Sequence, residues 1–475
     1  MLSVIKSMHP RYRWRINNGY SHALRICLPL IASHISLSAM IFTDRLFLSR
    51  YSMEAIAASL PAGVGIVTVS SFFQGLVSYV SVFTAQYTGA GQPRRAAAAL
   101  WHGLYLSLVS GLLIGLTYFA APKLFEVGGH STRVQELEVT YYRILALPSV
   151  LSMLYFAMSS FLSGLGRTRV VMWVNLIGAL VNIPLTYALV FGLEIGGLRV
   201  APEWGIAGAA AGTVVSWLVT TLIFIRLIFN RRMARSHDIF NARSLDWNLL
   251  GRMIIYGFPG GMQRFLELAT FTFFAFAVGW LGELQLVANN IIFSIEALSF
   301  FPMLGIGVTI SIMVGQSIGR GRPEEASEAV VSGLGIGSLY VIVVAIVFLV
   351  WPRPLLELFL ASHYDPAARA QILELGVILL RYVALYTAFD GLYIYCFGAL
   401  SGAGDVWFPL AAMGLAGVFG LAVPIWLLFA FNLADIYTLW GAFVLYILCL
   451  TGGGVWRYRQ GRWRQMRVID KSGGP

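Results

Sequence analysis

Four carboxylates stand inside long apolar runs, and they are the side chains of this sequence best placed to do chemistry. Glu267 and Asp390 fall about 18 and 17 residues into their runs, which at a helical rise of about 1.5 Å per residue sets both near the middle third of a bilayer. Asp44 lies late in the first run, followed at once by Arg45, and Glu296 lies near the middle of a later one. A carboxylate at mid-bilayer costs about 2.5–3.5 kcal/mol even on a lenient insertion scale, so each is expected to serve binding or coupling rather than folding. The chemistry open to them is uptake and release of a cation. A neutralised acid carries H⁺, while acids joined by carbonyl oxygens hold Na⁺, for which Glu267 and Asp390 are the expected ligands. Plainer alternatives stand beside three of them: an intrahelical pair of Glu267 with Arg264, a surface pair of Asp44 with Arg45, and a bond from Glu296 to Asn289 or Asn290. Asp390 has no such neighbour.

Gln74, Asn175 and Asn182 are expected either to line a substrate cavity or to bond one helix to the next. Phe271, Phe274 and Tyr395, near the acids, would offer ring faces to flat apolar cations. His34 and His102 are lone histidines on apolar helices and read as packed rather than titrating. The cysteines Cys27, Cys396 and Cys449 have no disulfide or zinc spacing and read as buried thiols.

The elements that must hold these residues are membrane helices. Of 475 residues, 58% are hydrophobic and only 12% charged, with mean hydropathy +0.75, whereas a soluble domain carries about 25% charged residues. Runs long enough to span recur near 24–48, 57–86, 96–120, 139–163, 170–194, 205–229, 249–280, 283–316, 328–350, 373–401, 406–430 and 434–456, which makes twelve spans. With the N-terminus inside, the inner segments hold the basic tail (Lys6, Arg11, Arg13, Arg15), Arg94 and Arg95, the run Arg231, Arg232 and Arg235, Arg320 and Arg322, and the C-terminal cluster ending at Lys471. The outer loops hold far fewer, so both termini are expected in the cytoplasm, and the net charge of +11 needs no nucleic acid. The basic tail does not read as a removable signal peptide.

Gln86-Tyr-Thr-Gly89-Ala-Gly91-Gln-Pro93 recurs as Gln316-Ser-Ile-Gly319-Arg-Gly321-Arg-Pro323, about 230 positions on, and Pro29 shares that offset with Pro259. Arg143, Ser163, Gly164, Gly166 and Pro184 recur at Arg381, Ser401, Gly402, Gly404 and Pro424. Six spans repeat as six in one orientation, so the expected fold is an all-α integral membrane protein of two six-helix lobes, 1–235 and 236–475, related by a parallel pseudo-two-fold repeat. The repeat places Ser152 where the second half has Asp390 and Leu37 where it has Glu267, so the fold itself does not need the acids. Prolines 29, 184, 259, 302 and 424 lie within spans and invite kinks suited to rocking.

The segments Leu28-Pro29-Leu30 through Asp44, AQYTGAGQPRRA, GQSIGRGRPEEA, LSGLGRTR, VNIPLTYALVFG, IEALSFFPMLGIG and ALSGAGD resemble the multidrug and toxic compound extrusion (MATE) family over nearly the whole chain. The resemblance implies a twelve-helix antiporter of the bacterial inner membrane that exports organic cations against inward H⁺ or Na⁺, without a cofactor and as a monomer in the lipid bilayer. It also implies that Glu267 and Asp390 are the cation-site acids of the second lobe and Asp44 the first-helix acid. Thr186 stands where part of the family has an acidic partner for Asp44, and Arg45 stands where a small polar residue is usual. The alternative is a flippase for a lipid-linked saccharide or another amphiphile, which would want a basic cavity. No GxxxxGK[ST] or HExxH occurs and no His and Asp ligands cluster within the spans, so neither an ATP-driven pump nor an intramembrane enzyme is expected.

Overall fold

The computed structural model describes Trp14 and residues 18–126, 128–195, 198–360 and 365–470, so Lys6, Arg11, Arg13, Arg15 and Lys471 lie outside the described residues. The chain is all-helical apart from one antiparallel hairpin, β1 (Leu193–Ile195) with β2 (Leu198–Ala201), among the described residues. The helices are α1 (Tyr20–Tyr51), α2 (Met53–Ser78), α3 (Val80–Gly89), α4 (Pro93–Leu116), α5 (Ala121–Glu126), α6 (Thr132–Ala146), α7 (Ser149–Gly164), α8 (Thr168–Phe191), α9 (Ile206–Ile228) and α10 (Arg231–Ser236). The second half continues with α11 (Trp247–Gly279), α12 (Glu283–Gly319), α13 (Pro323–Val350), α14 (Pro352–Glu357), α15 (Pro366–Ala403), α16 (Trp407–Leu415), α17 (Val423–Ala430) and α18 (Ile436–Arg459).

Ten stretches are long and apolar enough to cross a membrane, with α2–α3 and α16–α17 each counting as one, and the pair α6–α7, bent by 48° at Pro148, makes an eleventh. Helix α11 is long enough to cross as well but is not among them, and it carries Arg252, Arg264 and Glu267. A helix stands at each of the expected spans. Between α16 and α17 the chain runs as a π-helix over Ala416–Ala422, just before Pro424. Proline has no N–H and its ring crowds the carbonyl four residues back, and the wider turn accommodates both.

The repeat is visible in backbone hydrogen bonds. The N–H of Gly91 donates to Thr88 and that of Gln92 to Tyr87, and the same two bonds recur from Gly321 to Ile318 and from Arg322 to Ser317. Gly91 and Gly321 sit at φ 69° and 73°, a left-handed conformation that glycine adopts without steric cost. At the next repeated turn a methyl group on Gly164 would collide with the carbonyl of Ser81, and one on Gly402 with that of Ser311. Ser81 and Ser311 are themselves related by the offset of 230, so one close helix crossing is built twice.

Residues group into two compact units, Ala32–Arg264 and the remainder, Met1–Ile31 with Phe265–Pro475. The boundaries between these units fall inside α1 and α11. The connection after α9 belongs to the Ala32–Arg264 unit. Trp101 Nε1 donates to Ile239 O at 2.8 Å, Tyr105 donates to Arg243 O at 2.6 Å, and Arg95 pairs with Asp246 at 3.2 Å. His102 is fully buried and bonded on both ring nitrogens, Nδ1 to Ala98 O at 2.7 Å and Nε2 accepting the Asp246 N–H at 2.9 Å. A carbonyl can only accept, so the proton sits on Nδ1 and the ring pins the start of α11.

Candidate functional site

Three of the four carboxylates meet at one cavity of about 20 Å³ inside the unit that holds Phe265–Pro475. Helical spacing explains how. Glu267 and Phe271 lie four apart on α11, Glu296 and Phe300 four apart on α12, and Tyr386, Asp390 and Tyr393 follow an i, i+4, i+7 stripe on α15. Met413 of α16 and Phe443, Tyr446, Ile447 and Leu450 of α18 close the wall. The volume suffices for about one water-sized guest.

Glu296 and Asp390 are 5% and 4% exposed, and among the described residues neither carboxylate has a hydrogen bond or ion pair to the protein. The bond from Glu296 to Asn289 that the sequence allowed is not formed, since both side-chain atoms of Asn289 lack a partner. No Lys, Arg or His lines the cavity. Among the described residues no three His, Cys, Asp or Glu side chains converge closely enough to hold a metal ion, so the acids share a wall rather than form a chelating shell. Two unpaired acids and the Tyr386 hydroxyl, itself without a partner, face a space bounded by aromatic rings. Such a site favours a positive guest and disfavours an anion.

The remaining expected residues divide. Phe274 is buried one turn from the cavity, against Phe443 at 4.8 Å and Trp440 at 5.5 Å. Tyr395, only five residues beyond Asp390, turns away from the cavity and packs its ring on Gly337, because five residues rotate a helical side chain to a different face. Asn175 is a structural linker, accepting from Tyr155 at 2.8 Å and donating to Ser33. Gln74 and Asn182 belong to the Ala32–Arg264 unit and do not line the carboxylate cavity; Gln74 is half-buried and Asn182 fully buried. Asp44, in the same unit, is 8% exposed and accepts from Thr213 at 3.2 Å, while Arg45 beside it is exposed and makes no ion pair with it. Tyr386, Tyr393 and Tyr446 escaped sequence reasoning. The first two were within reach of it, since they share the face of Asp390.

The family model MatE matches residues 29–188 and again 259–426. This chain belongs to the MATE family. The two matched segments start 230 residues apart, the offset of the internal repeat, and Asp44 falls in the first while Glu267, Glu296 and Asp390 fall in the second. Among similar proteins, the probable multidrug resistance protein NorM of Burkholderia pseudomallei is 29% identical over 411 residues, covering 86% of this chain and 85% of its own. The multidrug resistance protein NorM of Burkholderia vietnamiensis is 29% identical over 423 residues, covering 88% and 89%. In solved structures, a MOP superfamily transporter from Pyrococcus furiosus superposes with a TM-score of 0.84 at 19% identity over 93% of this chain and 96% of that one. An outward-facing multidrug resistance MATE transporter superposes at 0.82 and 19% identity, over 93% and 96%. These place the fold as the MATE fold of two six-helix lobes, and the chain as a multidrug-type membrane transporter rather than an enzyme.

Proposed function

We propose that this MATE transporter is a secondary active antiporter that exports organic cations from the cytoplasm in exchange for inward H⁺ or Na⁺. The observation that carries the reading is the cavity that gathers Glu267, Glu296 and Asp390 among aromatic rings with no basic side chain in its wall. A coupling ion and an organic cation compete for that charge, and loading one favours release of the other. An inward charge crossing 100 mV releases about 2.3 kcal/mol, enough for a concentration ratio of about fifty, with the ion's own gradient adding to it. Asp44 is a secondary candidate, because Thr186 gives it no acidic partner and its charge meets only the Thr213 hydroxyl in hydrogen bonding. The protein works in the bacterial inner membrane with both termini inside, as a monomer with no partner but lipid. A saccharide-lipid flippase is the weaker reading, since acids in the wall repel the phosphates of such cargo.

The test is efflux of a fluorescent organic cation from proteoliposomes under an imposed pH or Na⁺ gradient. Efflux driven by one gradient, and abolished by Asp390→Asn and by Glu267→Gln, supports antiport and names the ion. Gradient-independent movement, or none, overturns it.

A further inference from the structure

Besides the Tyr395 hydroxyl, which lies beyond Asp390 along α15, three fully or nearly buried polar side chains in the unit of the carboxylate cavity have no protein partner. They are Asn289 on α12 with both side-chain atoms, Trp440 on α18 with its Nε1–H, and Tyr386 on α15 with its hydroxyl. Asn289 and Trp440 stand closer to the N-terminal ends of their helices than the residues those helices give to the cavity, Glu296 and Tyr446, while Tyr386 lines the cavity one turn before Asp390 on α15. Asn289 and Glu296 are seven residues apart on one face of α12, about 10 Å along the axis. Phe293 lies on that face between them and packs on Trp440 at 5.6 Å, and the Trp440 ring stacks on Tyr386 at 6.3 Å and 28°. The three unpartnered groups therefore belong to one seam that runs from the cavity toward the Glu283, Pro366 and Ile436 ends of three helices.

Buried amide, indole and phenol groups are costly to leave unbonded, and in a polar seam water is the usual partner. Asn289 both donates and accepts, Tyr386 does the same, and Trp440 donates, so together they can hold a short file of water. We propose that this file is the route by which the coupling cation passes between the outer face and the carboxylate cavity, with Asn289 and Trp440 as positioning residues. The inference rests on the antiport reading above and on its orientation, which puts those three helix ends outside.

Hydroxyl-radical footprinting of the reconstituted full chain tests the water directly. Trp463 is the internal control, equally buried, but with its Nε1–H bonded to Tyr458 O at 3.1 Å. Trp440 should oxidise several-fold faster than Trp463. Asn289→Leu and Trp440→Phe should slow gradient-driven exchange about tenfold while leaving the Kd for a fluorescent organic cation unchanged, which also reports that the variants fold. Equal labelling of the two tryptophans overturns the file, and wild-type exchange rates in both variants overturn its role as the route. A native chain that moves no cation under any gradient sinks the antiport reading instead, and the route's cargo with it, whatever the labelling shows.

Discussion

Asparagine in place of Asp390 keeps the shape of the cavity wall and removes its charge, and the same holds for glutamine at Glu296. Gradient-driven efflux should fall at least tenfold in each, a loss of about 1.4 kcal/mol or more in driving the cycle, while the thermal unfolding temperature holds or rises. A structural acid would behave oppositely, because breaking a needed buried pair destabilises. Asp44→Asn keeps an acceptor for Thr213 and should lower the efflux rate only a few-fold in the same assay. At this scale the acids were legible because a charge in an apolar run is conspicuous. That three of them share one cavity was not, since it depends on the rotation of α11, α12, α15 and α18 about their axes. Tyr395 shows the limit: nearness in sequence to Asp390 suggested a shared wall, and the helical turn denies it.

Helix crossings set the next scale. Alanine at Gly164 or Gly402 drives a methyl group into a backbone carbonyl and should cost about 1–3 kcal/mol, whereas Gly414, with nothing within 4 Å, should accept alanine without loss. Thermal unfolding of the three variants in one detergent makes the comparison. Asp246 caps α11, accepting the N–H groups of Asn248 at 3.0 Å and Leu249 at 3.2 Å. Burial alone would raise its pKa, but those N–H groups and Arg95 outweigh burial and hold it below the ordinary value. The sign follows: the charged cap stabilises at pH above the ordinary carboxylate range and loses that contribution as pH falls through the lowered value. Asp246→Ala should cost about 1 kcal/mol at neutral pH, and the gap from wild type should close in acid, measured by unfolding temperature against pH. The spans were readable from apolar length, and glycine pairs marked the tight turns. Pro424 marked a kink, but the form each irregularity takes, a break at Tyr79, a bend at Pro148 and a π-helix before Pro424, depends on how the helix packs as well as on any proline there.

The whole molecule is a repeat whose halves kept their backbone and changed their chemistry. The linker after α9 hydrogen-bonds to Trp101 and Tyr105 within the Ala32–Arg264 unit, and the boundaries of the two compact units fall inside α1 and α11. Orientation is testable in cells. In a chain whose exposed Cys449 is replaced by alanine, a cysteine at Leu433 should react with a membrane-impermeant maleimide in intact cells, and one at Ser236 only after permeabilisation. The reverse pattern would invert the molecule. The exchange of one cation for another at the carboxylate cavity is tested most directly on the purified transporter in weakly buffered solution. Adding an organic cation should release about one H⁺ or Na⁺ for each cation bound, and the double variant Glu296→Gln with Asp390→Asn should release none. Stoichiometric binding of the organic cation with no ion released from the native protein would contradict exchange at this site.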